Sequence, residues 1–244
     1  MTVLRRAQPW LGTLVEIGVP LGGLEMDWVN QAVADAFGVV GQVHRLMSRF
    51  DPDSDVSRFH RAAVGQPVRI NQHTRQVLLL AQQLHQQTQG LFDIAQGSGA
   101  WTLDADGYWA KLGAEVQIDL GGIAKGYAVD VAIGALAARE VRTAWVNAGG
   151  DMRVMGTAVP VDLRDEVQGG VQRWAQVEDA AVATSYFGPD ARSALHGQAQ
   201  ALHVTVAAPS CAVADALTKV VAQMGLDASQ PCLRFFEAQA WVHA

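Results

Sequence analysis

The stretch from Met26 to Met47 constrains this chain most. Val29, Val33, Ala36, Val40, Val43 and Met47 recur there every three or four positions. That spacing predicts one long amphipathic helix with a single apolar stripe. The stripe needs cover from other elements. Leu14 to Val19 reads as a strand, ended by Pro20 and Gly22-Gly23. Val77, Leu80, Ala81 and Leu84 mark a second helix that stops near Gly90. Strands are expected at 116–120, 144–146, 152–155 and 204–207. Helices are expected from Gly122 to about Arg139 and from Cys211 to Met224, with a closing β segment over 234–242. Phe50 to Ser57 reads as a turn region. Gly90 to Gly113, rich in Gly, Trp and Asp, reads as irregular and long enough to be a functional loop. Strands and helices do not alternate as strict βαβ units, so the fold class is α+β.

Half of the 244 residues are hydrophobic and only 17% are charged. That suits one large domain, or two intimately packed subdomains, and argues against disorder. The net charge of −6, with no dense Lys/Arg run, gives no general attraction to nucleic acid. No window approaches the length of a membrane span. The N-terminal ten residues have no apolar run after Arg5-Arg6, so they are not a secretory signal as written. The expected compartment is the cytoplasm, or the periplasm if an upstream leader was removed. Cys211 and Cys232 could pair with each other; two small apolar thiols is the plainer reading.

The richest chemistry lies between Val116 and Asp130. A short strand leads to Asp119, then Gly121-Gly122, then Lys125 in a first helical turn. Paired glycines let backbone approach a ligand closely. A helix N-terminus offers free N–H donors and a positive dipole end, and Lys125 adds a full charge. Together these favour a phosphate or pyrophosphate. The alternative is a plain helix start that Asp119 caps. Neither a P-loop nor the dinucleotide Gly-x-Gly-x-x-Gly is present. Asp215 and Thr218 share a helix face. Their hard oxygen atoms suit Mg2+, although a carboxylate near a helix start is also favoured by the dipole alone. Asn147 to Asp151 places two glycines between strands, either as a tight hairpin turn or for close approach to a ligand. The seven histidines show no metal spacing, and no Gly-x-Ser-x-Gly elbow exists.

Taken together and in order, these pieces resemble the FAD:protein FMN transferase family, also called ApbE. The matching segments are Leu11-Gly12-Thr13, Met47 to Phe50, Asp53 to Phe59, Gly90 to Asp93, Asp119 to Asp130, Asn147 to Asp151, Ala183 to Ser185, and Val204 to Val206 followed by Ala214 to Thr218. The resemblance implies an ApbE-like, T-fold-related α+β fold with mixed sheets and packed helices. It also implies cleavage of the FAD pyrophosphate, passage of FMN to a Thr or Ser hydroxyl of an acceptor protein, release of AMP, and use of Mg2+. By the same resemblance, Leu11, Phe50, Leu91, Phe92, Asp93, Asp119 and Lys125 would contact FAD. The Gly122 backbone oxygen, Asp215 and Thr218 would hold the metal.

The chain departs from the family's pattern in three places. The usual His-Ile-Ile-Asp-Pro-x-Thr-Gly segment is absent, which leaves His196 as the first candidate to activate the acceptor hydroxyl and His203 as the next. Position 219 is Lys, where many members place a Thr that also serves the metal. The segment between Asp93 and Asp119 is short for the family. The missing segment leaves open an FAD-binding relative that transfers nothing; a further alternative is a Mg-dependent hydrolase giving FMN and AMP, with water replacing the acceptor hydroxyl.

Overall fold

The structure, a computed structural model, describes residues 2–164, 170–188 and 202–243. In chain order the elements are β1 (Val3–Trp10), β2 (Thr13–Pro20), α1 (Met26–Met47), α2 (Asp55–Arg61), β3 (Val68–Arg69), α3 (Gln72–Gln87), β4 (Trp101–Leu103) and β5 (Tyr108–Lys111). They continue with α4 (Ala124–Ala138), β6 (Ala144–Ala148), β7 (Asp151–Met155), β8 (Val159–Arg164), β9 (Val171–Val177), β10 (Ala181–Phe187), β11 (Leu202–Ala208), α5 (Cys211–Met224), α6 (Gln230–Phe235) and β12 (Gln239–His243). The class is α+β, as expected.

Seven strands form the main sheet in the order β1-β2-β6-β7-β10-β11-β12. Each of its described pairings is antiparallel. Side chains alternate between its two faces. On β6, Ala144, Val146 and Ala148 join the large buried cluster with α1, α4 and α5, while Trp145 joins a smaller cluster on the other face. The β8–β9 hairpin contributes Val177, Val159 and Trp174 to that second cluster. The long helix α1 buries Val29, Val33, Ala36, Val40, Val43 and Met47, the stripe expected from the spacing. It packs against α4, β1 and α3. No helix among the described residues is long and apolar enough to cross a membrane. Cys211 and Cys232 are free buried thiols.

Four local expectations need correction. Residues 50–57 are not all turn: Ser54 accepts from the Ser57 N–H at 2.9 Å and starts α2. A serine three residues ahead of the first amide it caps is an N-terminal signal. The stretch 90–113 is not wholly irregular, since it contains the β4–β5 hairpin. Asp104 shapes its turn by accepting from the Asp106 and Tyr108 N–H groups at 3.0 and 2.8 Å. Residues 116–120 are extended and bury Val116, Ile118 and Leu120, but they join no sheet. Their amides go instead to Ser98 Oγ, His60 Nε2 and the Ile94 carbonyl, at 2.8–2.9 Å. Finally, 234–242 begins as the end of α6 and becomes strand only at Gln239.

Candidate active site

The β6–β7 connection consists of Gly149 and Gly150, with φ values of 62° and 103°. A two-residue hairpin with both residues at positive φ favours glycine at each. The turn delivers Asp151 to the start of β7, where the residue is 1% exposed. Ala183 pairs with Asp151 across the β7–β10 ladder, and Ser185 follows two residues later on the same face of β10. The helices complete the arrangement. Lys125 comes from the first turn of α4, and Asp215, Thr218 and Lys219 come from α5.

Asp215 is fully buried and lies between two lysines. Its Oδ2 accepts from Lys125 Nζ at 3.1 Å and from the Gly126 N–H at 3.3 Å. Its Oδ1 forms an ion pair with Lys219. Lys125 also pairs with Asp151. Two carboxylates shut away from water are therefore balanced by two partly exposed ammonium groups, and pairing of this kind is what makes buried charges tolerable. Behind them, Asp130 on α4 accepts from the Cys211 and Ala212 N–H groups, both at 2.9 Å, and from Arg153 at 2.6 Å. Asp130 thus satisfies two of the free donors at the start of α5.

Burial opposes charge on Asp215, but Lys219 and Lys125 outweigh it and hold the carboxyl below its usual range. Burial likewise opposes charge on Lys125, and Asp215 and Asp151 outweigh that to hold it above the ordinary lysine range. Asp151 goes the other way. Burial, then repulsion from Asp215, push it up to about 7 against the pull of Lys125 and Lys219. A carboxyl raised on folding stabilises the native state fully below its unfolded value, and that contribution is lost as pH rises through the folded value. The window here is roughly pH 4 to 7, and a rise of about three units is worth on the order of a few kcal/mol. Asp151→Asn removes this slope. Urea unfolding at several pH values should therefore show the variant gaining stability relative to the wild type between pH 5 and 8. A relative loss over that interval would contradict the assignment.

The family model described as the ApbE family matches residues 11–107 and 99–241. The chain belongs to the ApbE family. Among curated relatives, the FAD:protein FMN transferase of Rhodobacter capsulatus is 32% identical over 200 residues, covering 66% of this chain and 37% of that protein. The FAD:protein FMN transferase of Vibrio cholerae is 26% identical over 235 residues, covering 75% of this chain and 70% of that protein. The chain thus spans little more than a third of the first relative. Among solved structures, the flavin transferase ApbE from Vibrio cholerae superposes with a TM-score of 0.82 at 20% identity, covering 98% of this chain and 92% of that one. The ApbE protein from Thermotoga maritima gives 0.80 at 22% identity, covering 99% and 94%. These likenesses establish the ApbE fold.

Within this ApbE fold the expected site residues fall into three groups. Lys125, Asp215 and Thr218 meet in the buried cluster. Beside it, Gly122 lies between Phe92 and Lys219: a methyl group added at Gly122 would stand 3.8 Å from Phe92 Cε2 and 3.8 Å from Lys219 Cε. Asp119 accepts from the Gly121 N–H at 2.7 Å and pairs with Arg49 at 3.3 Å. It shapes the glycine turn and does not cap α4, whose N-cap is Ile123. Phe50, next to Arg49, is 84% exposed. The Leu91–Asp93 segment adjoins the same turn through Ile94, whose carbonyl accepts from the Asp119 N–H. Asp93 itself is occupied locally, accepting from the Ala95 and Gly97 N–H groups, both at 2.8 Å. Leu11 sits apart in the β1–β2 turn at φ 56°. Next to that turn, Thr13 packs against Gly149.

His196 lies outside the described residues. His203 is on the wrong face for a role beside Lys125. It pairs in register with Tyr186 and lies tilted against its ring, whereas the neighbouring Ser185 points towards α5. Two participants were not singled out as site residues from the sequence, Asp151 and Ser185, and Lys219 stood out only as a departure at a metal position. Asp151 looked like the far end of a turn. The i,i+4 spacing of Asp215 and Lys219 on a helix was a readable signal for their ion pair.

The divalent ion that the resemblance implies does not fit these residues as they stand. Both Asp215 carboxylate oxygens are taken by ammonium groups. Thr218 donates to the Asp215 carbonyl at 2.7 Å and shares a hydrogen bond with Ser185 Oγ at 2.9 Å. Among the described residues no group of three or more His, Cys, Asp or Glu side chains could hold a metal.

Proposed function

We propose that this chain, acting as one domain over 1–244, transfers FMN from FAD to a Thr or Ser hydroxyl of an acceptor protein and releases AMP. The observation that carries the reading is Lys125. Its ammonium is fixed by Asp151 and Asp215 at the start of α4, next to the Gly121-Gly122 turn, yet the side chain remains 28% exposed. A part-exposed cation held rigidly beside open glycine backbone suits a pyrophosphate, and phosphoryl transfer depends mainly on positioning and charge neutralisation. The name of the curated relatives, FAD:protein FMN transferase, supports FAD as that dinucleotide.

In the transfer, the acceptor oxygen bonds to the FMN-side phosphorus. The bond from that phosphorus to the bridging oxygen breaks, and AMP leaves with the electron pair. The hydroxyl proton passes to a base, for which His196 is the candidate. Lys125 offsets charge on the pyrophosphate oxygens. Asp119 with Arg49, Phe50, Leu11 and the Leu91–Asp93 segment would line the rest of the FAD pocket.

The test is incubation of the protein with FAD and candidate acceptor domains, followed by mass spectrometry of the acceptor. The expected result is an FMN adduct with equimolar AMP, reduced about 100-fold or more in Lys125→Met, since one preorganised charge contact at such a site is worth roughly that much. AMP formed equally well without an acceptor would identify a hydrolase. Flavin binding without any product would identify a carrier.

A further inference from the structure

We propose that the Lys219 ammonium is the resident cation of this site and takes the place of a divalent metal. The inference rests on the reading that the site receives a dinucleotide pyrophosphate. What points to it is the position of one lysine: it binds Asp215 directly, and Thr218 and Gly122, the rest of the expected metal-binding set, lie beside it. Lys219 Nζ pairs with Asp215 Oδ1, donates to the Asp215 backbone carbonyl at 2.8 Å and reaches Ser185 Oγ at 3.4 Å. Ser185 is in turn bonded to Thr218. The carbon that bears the ammonium flanks Gly122. Gly122, Asp215 and Thr218 are therefore gathered around a positive charge that the chain itself supplies.

The lysine is not a loose surface group. Its side chain is 14% exposed, and its partner carboxylate is fully buried. An ammonium is a compact point charge with three donors, and here those donors face oxygens that would otherwise be available to a hard cation. Mg2+ demands a near-octahedral oxygen shell at about 2.1 Å. It could not approach Asp215 Oδ1 without displacing a like charge already bound there. Asp215 Oδ2 offers no way round, because Lys125 and the Gly126 N–H occupy it. The charge count agrees. Asp151 and Asp215 are balanced by Lys125 and Lys219, whereas an added divalent ion would leave two uncompensated positive charges among buried groups. When a pyrophosphate arrives at the Gly121-Gly122 turn, Lys219 and Lys125 are the cations beside it, in the places that a metal and a lysine would otherwise take.

Two measurements decide the matter. In the first, thermal unfolding of the wild type is compared in EDTA and in millimolar Mg2+. A bound metal raises the melting temperature by mass action. The expected result is no shift for the wild type and an upward shift with Mg2+ for Lys219→Thr, which removes the ammonium and adds a hydroxyl. In the second, FAD affinity is measured by flavin fluorescence under the same two conditions. Wild-type affinity should agree within about two-fold, while Lys219→Thr should bind about ten-fold more weakly in EDTA, a difference of about 1.4 kcal/mol, and recover when Mg2+ is added. A wild-type melting temperature that rises with Mg2+, or wild-type FAD binding that requires it, overturns the proposal. So does a Lys219→Thr protein that binds FAD in EDTA as well as the wild type does. If the wild type binds no FAD under either condition, the dinucleotide reading fails, and the melting measurement still decides whether the site takes a metal. The wild-type arms hold even if the variant does not fold.

Discussion

Asp215→Ala is expected to cost on the order of 3–5 kcal/mol of stability and to abolish flavin binding. The carboxylate sits between Lys125 and Lys219 and is fully buried. Removing it leaves two ammonium groups facing one another with one remaining partner, Asp151, whose own charge is already disfavoured by burial. It also strips the Gly126 N–H of its acceptor. Breaking a buried pair by deleting one partner is costly because the other charges stay behind, desolvated and unmatched. Asp215→Asn separates charge from shape: it keeps the acceptor for Gly126 and should lose less than the alanine variant. Urea denaturation reads both, through a lower midpoint at unchanged slope. An alanine variant within about 1 kcal/mol of the wild type would mean that water, not protein, surrounds these groups.

Gly126→Ala is expected to destabilise the protein by about 2–3 kcal/mol, although alanine is the better helix former by about 1 kcal/mol. A methyl group there would stand 2.8 Å from Ala212 Cα and closer still to the Cys211 carbonyl. Both neighbours are backbone, so no side chain can swing aside; α4 and α5 must separate. Lys125 and Asp215 adjoin that crossing, so flavin affinity should fall together with stability. A variant as stable as the wild type, as helix propensity alone would give, would show that the two helices are not held at this distance. Gly134, on the same helix but with open space around it, is the control. There alanine should be neutral or stabilising.

How much of this was legible in the sequence varies with the range of the interactions. The bounds of α1 and α5 follow from the recurrence of Val29 to Met47 and Val213 to Met224, because a helix is specified by residues three and four apart. The strand β1 was not legible: Val3–Trp10 carries two arginines and a proline, and it exists by pairing residue for residue with β2. Residues 116–120 alternate like a strand, yet their partners are a serine, a histidine and a loop carbonyl, which no local pattern encodes. At the site, Lys125, Asp215 and Thr218 were legible from helix-start chemistry and from the resemblance. Asp151 was not, since its importance depends on burial, which Gly149-Gly150 could not reveal. Lys219 was visible as a departure at a metal position. Only the geometry places its ammonium on the Asp215 carboxylate.

The link between Lys125 and Asp215 also has a consequence in time. The two residues are 90 positions apart. At synthesis rates of about 5–20 residues per second, roughly 5–20 s pass between the appearance of the lysine and that of the carboxylate. Throughout that interval β7 can supply Asp151 to Lys125 and Arg153 to Asp130, but the second carboxylate and the backbone that packs on Gly126 are missing. The nascent chain therefore carries a helix with only half of its partners until α5 emerges, and the docking of α5 completes the four-charge cluster.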